Sequence, residues 1–334
     1  KVVIVYFLMT VIACIVGIVM VNITHPGVGF TLDNMQAFDT SKVKTPSFVN
    51  FLFDMVPVNI VDSMAKNQIM QMIFFTVLVG VALVSLGEKV AGVTKIFDQC
   101  ASIIYKMLDI VMLYSPIGVL ALMANTTAVF GPKLFGVLAK FVFTDWVGCL
   151  LIWFFFSGIV WLYTKVNYLE MCKSMIPIWV NTIATNSSAG TIPITLNVTT
   201  ERLKVPMSIA SFSIPLGATI NLTGAALYKT ILAFFVAEIY GLQLTIDQIL
   251  MVIIISTIMS IAAPGIPGGG IVTGAIFLNL LGLPMDLMGP IAGMYRLIDM
   301  SHTTVNVSGD VLGTMLVAKN ENIWTGEDFN KTLV

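Results

Sequence analysis

The sequence predicts an all-α membrane protein, and its composition and hydropathy pattern both support that prediction. Of its 334 residues, 57% are hydrophobic and only 10% are charged, and the mean hydropathy is +0.94. Soluble domains carry about 25% charged residues, so this chain has too little charge to cover a water-exposed surface. Its apolar residues form runs of roughly 20, the length of a helix that crosses a bilayer. The net charge of −1 shows no basic patch, so we expect no nucleic-acid partner.

Four apolar runs in the first half of the chain predict membrane-spanning helices, at residues 2–21, 69–86, 103–123 and 135–163. A polar loop is expected at 28–48 and an interrupted stretch at 47–62. A kink is expected in the third run at Ser115-Pro116, because proline removes a helical hydrogen bond. The four cysteines show no paired spacing, so they are interpreted as small hydrophobic residues. No nucleophile–base pair appears, so an enzyme is not predicted.

The second half of the chain differs, because small and polar residues interrupt its apolar segments. Two interruptions, near Gly190 and Gly265, each lie between two half-length apolar arms, which predicts a helical hairpin that enters the membrane and returns. A third interruption, at residues 217–224, predicts an unwound stretch inside a span. Unpaired backbone groups are not tolerated against lipid, so these breaks must face protein or a wet cavity. Paired breaks of this kind are typical of transporter binding sites.

A stripe of polar side chains marks the last apolar span. At about 100° per residue, four of them fall within an arc of about 60° that Arg296 and His302 flank; the four are Asp299, Thr303, Asn306 and Asp310. A charge in mid-bilayer costs at least about 2.5 kcal/mol. One explanation is that Arg296 only pairs with Asp299 or Asp310 and holds helices together. Two acids beside one arginine leave surplus acceptor oxygens, which favours a site for an alkali cation or a substrate ammonium group.

Four segments of the second half, in the same order and spacing, resemble the glutamate/dicarboxylate:cation symporter family. They are NSSAGTIP at 186–193, IPLGATINLTGA at 214–225, GIPG at 265–268, and residues 299–310; residues 105–118 also resemble the family's fifth span. The resemblance extends to about residue 320. It implies a secondary transporter of the cell membrane that symports an amino acid with sodium, with no organic cofactor. It also implies two further spans before residue 1.

The resemblance implies an inverted-repeat fold in a homotrimer surrounded by membrane lipid. A fixed scaffold at 47–126 would join the subunits, and the remaining spans would move across the membrane like an elevator. The other parts are a first span at 1–24, a span at 135–168, a first re-entrant hairpin at 172–203, an unwound span at 205–241, a second hairpin acting as the gate at 246–285, the polar span at 287–320 and a tail at 321–334.

Carried over by position, Asp299 resembles the residue that holds the substrate ammonium group, and Asn306 with Ser188 resembles the pair that holds the α-carboxylate. The other positions expected at the substrate are Ser187, Thr303, Ala225, Gly265 and His302. Asn221 capping a broken helix, and ordinary turn chemistry at Ser187-Ser188, are structural alternatives for those residues.

The resemblance also implies cation sites built from oxygen ligands, and about two sodium ions are expected. The first site would use Gly217, Asn221, Asn306 and Asp310, and the second the carbonyls of Thr219, Ser260, Ile261 and Ala263. A doubtful third site would involve Tyr6 and Thr10, which remain from the family pattern, and Thr223. Thr223 replaces an aspartate of the family there, and without that charge we expect weak cation binding or none.

Two departures from the family bear on the substrate. His302 stands where acidic-substrate members carry an arginine, and Ala225 replaces a threonine. Imidazole lacks the bidentate fork of guanidinium, so the sequence favours a neutral or small polar amino acid. The alternative is an acidic amino acid or dicarboxylate symported with protons, with protonated His302 as its partner; a pure channel is a third reading. The family's other arginine is missing, and the role of Arg296 is left open.

Overall fold

A computed structural model of the protein describes residues 1–30, 52–66, 68–261 and 265–331, and these are helical with no β-strand. The helices of the first half are α1 (Val2–Thr24), α2 (Ile60–Ala65), α3 (Ile69–Leu86), α4 (Ala91–Met112), α5 (Ser115–Phe130) and α6 (Lys133–Thr164). Those of the second half are α7 (Tyr168–Thr185), α8 (Ser188–Asn197), α9 (Met207–Ile220), α10 (Thr223–Ile239), α11 (Ile246–Ile261), α12 (Gly269–Leu280), α13 (Met288–Asn320) and α14 (Gly326–Asn330).

Four helical segments are long and apolar enough to cross a bilayer: Val2–Thr24, Ile69–Ile104, Lys133–Thr164 and Met207–Ile239. The predicted third span is placed differently. Its helix α4 begins at Ala91, before the predicted start at 103. Charged residues such as Lys95 and Asp98 lie on the exposed surface of α4, so the apolar run alone did not reveal the first part of this helix. The predicted kink is a full break, since α4 ends at Met112 and α5 begins afresh with proline in its first turn.

The chain divides into two compact units. The small unit comprises Thr45–Thr126, and the large unit comprises Lys1–Lys44 with Thr127–Val334. Within the described part of the small unit, the apolar helix α3 buries only Met70. Val81 and Val84 on this helix are 59% and 83% exposed. Water-exposed apolar surface of this extent favours association, so these helices need lipid or another protein surface around them.

Helix α13 forms the centre of the large unit. It packs against α6, α7, α9 and α10, while α1 packs against α10. Because neighbours surround it, its polar stripe is buried inside protein: His302 and Asp310 are each 1% exposed, and Asp299 is 8% exposed. Buried polar groups need hydrogen-bond partners or bound ions, so the helices around the stripe must supply such partners.

Helices α7 and α8 form a first hairpin, whose turn follows from two adjacent residues. Asn186 ends α7 in the left-handed conformation, with φ 52°, and its backbone N–H still bonds to Thr182 O. The next residue, Ser187, caps the start of α8 by accepting from Gly190 N at 3.0 Å. Asparagine tolerates the left-handed region and serine is a favoured N-cap, so these two adjacent residues explain why the chain reverses here.

Helices α11 and α12 form a second hairpin, and its turn contacts the first. Gly268 precedes α12 with φ 77°, a conformation that favours glycine. The carbonyl of Gly265 accepts from Ala189 N and from Ser187 Oγ, both at 3.3 Å. Between the hairpins in sequence, α9 ends at Ile220 and α10 begins at Thr223, so the predicted unwound stretch is confined to Asn221 and Leu222.

Candidate substrate and ion site

The two hairpin turns, the start of α10 and the stripe of α13 enclose a cavity of about 30 Å³. Its walls are Asn186, Ser188, Leu222, Ala225, Gly265, Ile266, Gly270, Thr273, Tyr295, Asp299, His302, Thr303 and Asn306. All the predicted substrate positions except Ser187 therefore lie on one cavity, and Ser187 instead caps α8 beside it. A space of this size holds a few water molecules at most, so a larger solute requires the turns to separate.

Three helices begin at this cavity. Ser188 opens α8, Leu222 caps α10 and Gly270 lies in the first turn of α12, and each contributes to the cavity wall. Helix N-termini carry unpaired N–H donors and a partial positive charge, so they favour carboxylates and other anions. Three N-termini around one space provide a positive environment without a lysine or arginine in the cavity wall.

Asp299 is the acidic residue of the cavity wall. Its Oδ2 accepts from Gly268 N at 3.2 Å, which places the carboxylate at the start of α12, and Oδ1 lies 3.5 Å from the Tyr295 hydroxyl. Neither contact is with a cation. Because a buried carboxylate is stabilised strongly by a cationic partner, this side chain is suited to a substrate ammonium group.

The residues predicted for the first sodium site lie together behind the cavity. Asn221 Nδ2 donates to Asp310 Oδ1 at 2.9 Å and is 3.4 Å from Asn306 O. Asn306 Oδ1 accepts from Gly224 N at 2.7 Å. A Cβ added at Gly217 would collide with the Asp310 carboxylate, so this close approach of backbone to carboxylate requires glycine. The cluster is a buried set of oxygen atoms around one carboxylate.

The residues predicted for a second sodium site are described only in part. Thr219 is exposed, Ile261 is the last residue of α11, and Ala263 lies outside the described residues. Ser260 is buried, and its hydroxyl lies 3.2 Å from the amine of Lys229. Lys229 is fully buried and also donates to Ala225 O at 3.2 Å. The sequence interpretation missed this amine, although a lysine inside an apolar span was a visible signal.

The side chains predicted for the third cation site form hydrogen bonds within the protein. Tyr6 donates to Asp310 O and Ser213 O, each at 3.1 Å. Thr10 bonds back to Tyr6 O at 2.9 Å within α1. Thr223 Oγ1 lies 3.4 Å from Asn221 O. The side chains nearest this cluster therefore supply hydroxyl groups, and the acid nearest them is Asp310.

His302 has a partner that the sequence interpretation missed. Its Nε2 donates to Asp145 Oδ1 on α6 at 2.8 Å, and both side chains are at most 1% exposed. Asp145 Oδ2 accepts from Ser301 Oγ at 3.0 Å. The two partners are 157 residues apart, so no local motif joins them. A lone acid inside the apolar run 135–163 was the one available signal.

Arg296, whose role the sequence left open, lies beside the first hairpin turn. Its guanidinium donates to Ala184 O at 2.9 Å, and Asn186 Nδ2 donates to Arg296 O at 3.0 Å. Within the described parts of the chain it forms no ion pair with Asp299 or Asp310, so the alternative of a helix-joining salt bridge has no support there. A cation at the last carbonyls of α7 complements the negative end of that helix, so Arg296 supports the first hairpin turn.

A second cavity, of about 470 Å³, lies between α6, α7 and α13. Its walls are Trp146, Cys149, Leu150, Trp153, Phe154, Tyr168, Cys172, Trp179, Ile183, Met300, Ser301, Thr304 and Val305. No carboxylate, lysine or arginine is among these wall residues. Of these two cavities, the smaller one is the one with a carboxylate, that of Asp299, in its wall.

Comparison with known proteins shows the family of this chain. The sequence model of the Sodium:dicarboxylate symporter family matches residues 1–320. The proton/glutamate-aspartate symporter of Bacillus subtilis (strain 168) is 31% identical over 318 residues, which is 94% of this chain and 77% of the relative. The protein of the same description from Escherichia coli (strain K12) is 32% identical over 330 residues, 96% of this chain and 75% of the relative.

Two further relatives differ in the solute or cation that they are named for. The C4-dicarboxylate transport protein of Bacillus subtilis (strain 168) is 30% identical over 328 residues, 95% of this chain and 77% of the relative. The proton/sodium-glutamate symport protein of Bacillus caldotenax is 30% identical over 332 residues, 97% of this chain and 78% of the relative. The chain therefore belongs to the sodium:dicarboxylate symporter family, as a multi-pass secondary symporter of the cell membrane and not an enzyme.

Proposed function

We propose that this protein symports an acidic amino acid with a cation. The observation that carries the proposal is the small cavity, where one carboxylate, that of Asp299, faces the N-termini of α8, α10 and α12. An acidic amino acid has one ammonium group for the acid and two carboxylates for the positive helix ends. Relatives named for glutamate, aspartate and dicarboxylates support the same class.

The expectation of a neutral amino acid is not supported by the relatives. It rested on His302 and Ala225, which lack the fork and the hydroxyl of acidic-substrate members. That argument considered side chains and left out the backbone N–H groups. The three helix N-termini supply backbone donors and positive partial charge, and these do not depend on a side chain at position 302.

Asp299 favours an acidic amino acid over a dicarboxylate that lacks an amine. A succinate-like solute would bring two carboxylates beside the Asp299 carboxylate and would offer no cation to it. Carboxylates that lie close together in a buried site repel one another, so we expect such a solute to bind with lower affinity. The amine is therefore the group that we expect to discriminate between these two substrate classes.

Sodium is proposed as one co-transported cation, held at Asp310. This carboxylate is 1% exposed, and its side-chain partner in the described residues is the amide of Asn221. A buried carboxylate without a cationic partner is strongly unfavourable, and carboxylate, amide and carbonyl oxygens are the ligands that hard cations prefer. At the predicted third site, Thr223 carries no charge that could bind a further ion. At the predicted second site, the Lys229 amine lies beside Ser260, and we therefore propose that few sodium ions bind.

For the mechanism, we propose an elevator in a homotrimer. The two hairpins would be re-entrant, with the second acting as the gate, because their turns meet over the cavity and the second turn contains Gly265 and Gly268. The small unit would be the scaffold. Its support is the apolar surface of α3, which remains exposed within one chain and requires lipid or neighbouring subunits.

A binding panel on the purified protein tests the substrate class. Aspartate and glutamate are expected to raise the melting temperature in sodium buffer, with serine and succinate weaker by about tenfold or more in apparent affinity, since each lacks one charged group. An Asp299→Asn variant removes the partner of the amine with little change in size, and it is expected to lose the preference for aspartate over succinate. Tighter binding of serine than of aspartate would overturn the proposal.

A further inference from the structure

We propose that the second cavity, between α6, α7 and α13, binds a phospholipid, with one acyl chain inside the cavity and the phosphate at its lysine-flanked end. The volume of about 470 Å³ lies within the range of ligand-binding cavities, roughly 300–1,000 Å³. Such a site is independent of the solute that the protein carries. Its support is the length of the cavity, the surface around it, one unpaired indole and two lysines.

The second cavity extends along most of α7. Its wall residues on this helix are Tyr168, Cys172, Trp179 and Ile183, and at about 100° per residue they fall within an arc of about 60°. Between the first and the last of them α7 rises by about 22 Å, at about 1.5 Å per residue. One leaflet contributes about half of a hydrocarbon core that is about 30 Å thick. The length of the cavity is therefore comparable with that of an acyl chain and exceeds that of a compact solute.

The wall of the second cavity continues into a surface that lipid must cover. Leu150 and Phe154 belong to the wall and are about half exposed, and so are Leu151 and Phe155 beside them on α6. This helix is one of those long and apolar enough to cross a bilayer. Acyl chains therefore lie against this face of α6, and one of them can enter the cavity without crossing water.

One hydrogen-bond donor of the wall lacks an acceptor. The indole of Trp146 donates to Leu297 O at 2.9 Å. That of Trp179 donates to Ser308 Oγ at 3.0 Å. The third indole nitrogen, Trp153 Nε1, is buried and has no partner in the part of the chain that the structure describes. A buried N–H group needs an acceptor, and the ester carbonyl of a phospholipid is one that brings no charge into a wall without lysine or arginine.

Two lysines flank the end of the second cavity where α7 begins. Lys165 lies at the end of α6, three residues before the wall residue Tyr168, and Lys173 follows the wall residue Cys172. Both are exposed. Lys173 pairs with Glu170 at 2.6 Å, whereas Lys165 forms no ion pair among the described residues. Lysines next to a spanning helix attract anionic headgroups, so a phosphate at this end of the cavity would pair with Lys165.

An acyl chain in the second cavity would lie behind the substrate site. The two cavities use opposite faces of α13, with Met300, Ser301, Thr304 and Val305 on one and Asp299, His302, Thr303 and Asn306 on the other. Thr182 Oγ1 lies 2.9 Å from Thr304 Oγ1 and joins α7 to α13 beside the chain. A chain that fills the space between these helices supports their packing, so bound phospholipid is expected to stabilise the large unit.

Titration of the delipidated full chain in detergent with phosphatidylglycerol tests this site. The melting temperature is expected to rise with added lipid, because the lipid binds the folded state. Phosphatidylglycerol that is brominated in its acyl chains is expected to quench tryptophan fluorescence over the same concentration range, since Trp146, Trp153 and Trp179 line the cavity. Trp161 is exposed on α6 outside the cavity, so the quenching is measured in a Trp161→Phe background.

Variants with matched controls locate the lipid. Cys172→Phe places a ring inside the cavity and is expected to lower the affinity for phosphatidylglycerol by about tenfold or more, whereas Val180→Phe adds a ring on an exposed part of α7 and should not. Trp153→Phe removes the unpaired donor and Lys165→Gln removes the charge, and each is expected to lower the affinity by about fivefold. Lys133→Gln, exposed at the other end of α6, should leave it unchanged.

Three results would overturn the proposal. Equal binding of phosphatidylglycerol by Cys172→Phe and wild type would place the chain elsewhere. Equal stabilisation by a fatty acid or a sterol would mean that the occupant is not a phospholipid. If no lipid raises the melting temperature or quenches the tryptophans, the cavity is covered by protein. None of these measurements uses aspartate, so a failure of this site and a failure of the proposed function are seen separately.

Discussion

Three aspartates and one lysine, Asp145, Asp299, Asp310 and Lys229, are among the buried side chains of the large unit. Each has a different set of partners: an imidazole for Asp145, a carbonyl and a hydroxyl for Lys229, the start of a helix for Asp299 and an amide for Asp310. Because the partners of Asp299 and Asp310 carry no charge, these two acids are the ones that can gain a cation from solution. The account assigns the substrate amine to the first and sodium to the second.

Replacing Asp310 with asparagine tests the sodium assignment. The change removes the charge but keeps the size, so the fold should persist while the apparent sodium affinity falls by about tenfold or more. The measurement is aspartate-induced thermal stabilisation at increasing sodium concentration. Asp247→Asn is the matched control, since that acid is exposed at the start of α11 and should leave sodium dependence unchanged. Equal sodium dependence in Asp310→Asn and wild type would remove this residue from the ion site.

Sequence reasoning reached the residues of α13 but not all of their partners. The stripe from Asp299 to Asp310 follows from helical periodicity alone, and the structure buries it. Asp145 and Lys229 belong to other helices, and a single acid or amine in an apolar run gives no direction or distance. The role of Arg296 was not predictable for the same reason, because its partner is a backbone carbonyl of another helix.

The elements that build the cavity are breaks in helices, and local chemistry explains them. Asn186-Ser187 supplies a left-handed C-cap followed by an N-cap, and Gly268 supplies the positive φ that precedes α12. These breaks were readable from the sequence because they use turn residues. The break between α4 and α5 lies where a kink was predicted, but the start of α4 was placed too late, because charged residues on the exposed side of that helix interrupt the apolar run.

At the scale of elements, Gly217 on α9 allows the backbone of that helix to approach Asp310 closely. An added Cβ would collide with the Asp310 carboxylate and lie 3.0 Å from the Tyr6 hydroxyl, so Gly217→Ala must displace the acid. We expect a loss of stability of about 1–3 kcal/mol and a loss of sodium-dependent stabilisation. Thermal melting with and without sodium measures both.

The control for Gly217→Ala is Gly136→Ala on α6. An added Cβ there meets nothing within 4 Å, so the change should be neutral or stabilising by up to about 1 kcal/mol. If Gly217→Ala melts like wild type and keeps its response to sodium, the close approach of α9 to Asp310 has no part in ion binding.

At the scale of the whole molecule, the exposed apolar helix α3 explains why the chain needs lipid or another protein surface around it. Composition and hydropathy were enough to predict a helical membrane protein. They carry no information on how units move or assemble, because lipid-facing and subunit-facing helices have the same apolar composition. The elevator and the trimer are therefore proposals that stand on the family resemblance and on the meeting of the hairpin turns.

The most direct test of the central claim is uptake of labelled aspartate into proteoliposomes that contain the purified protein. With an inward sodium gradient and acidic medium outside, the account predicts aspartate accumulation above the bath concentration. Accumulation should collapse when ionophores remove the sodium and proton gradients, and unlabelled serine should compete poorly. If aspartate only equilibrates with the bath under every gradient, or if serine is the solute that accumulates, the account of a cation-coupled symporter of acidic amino acids is contradicted.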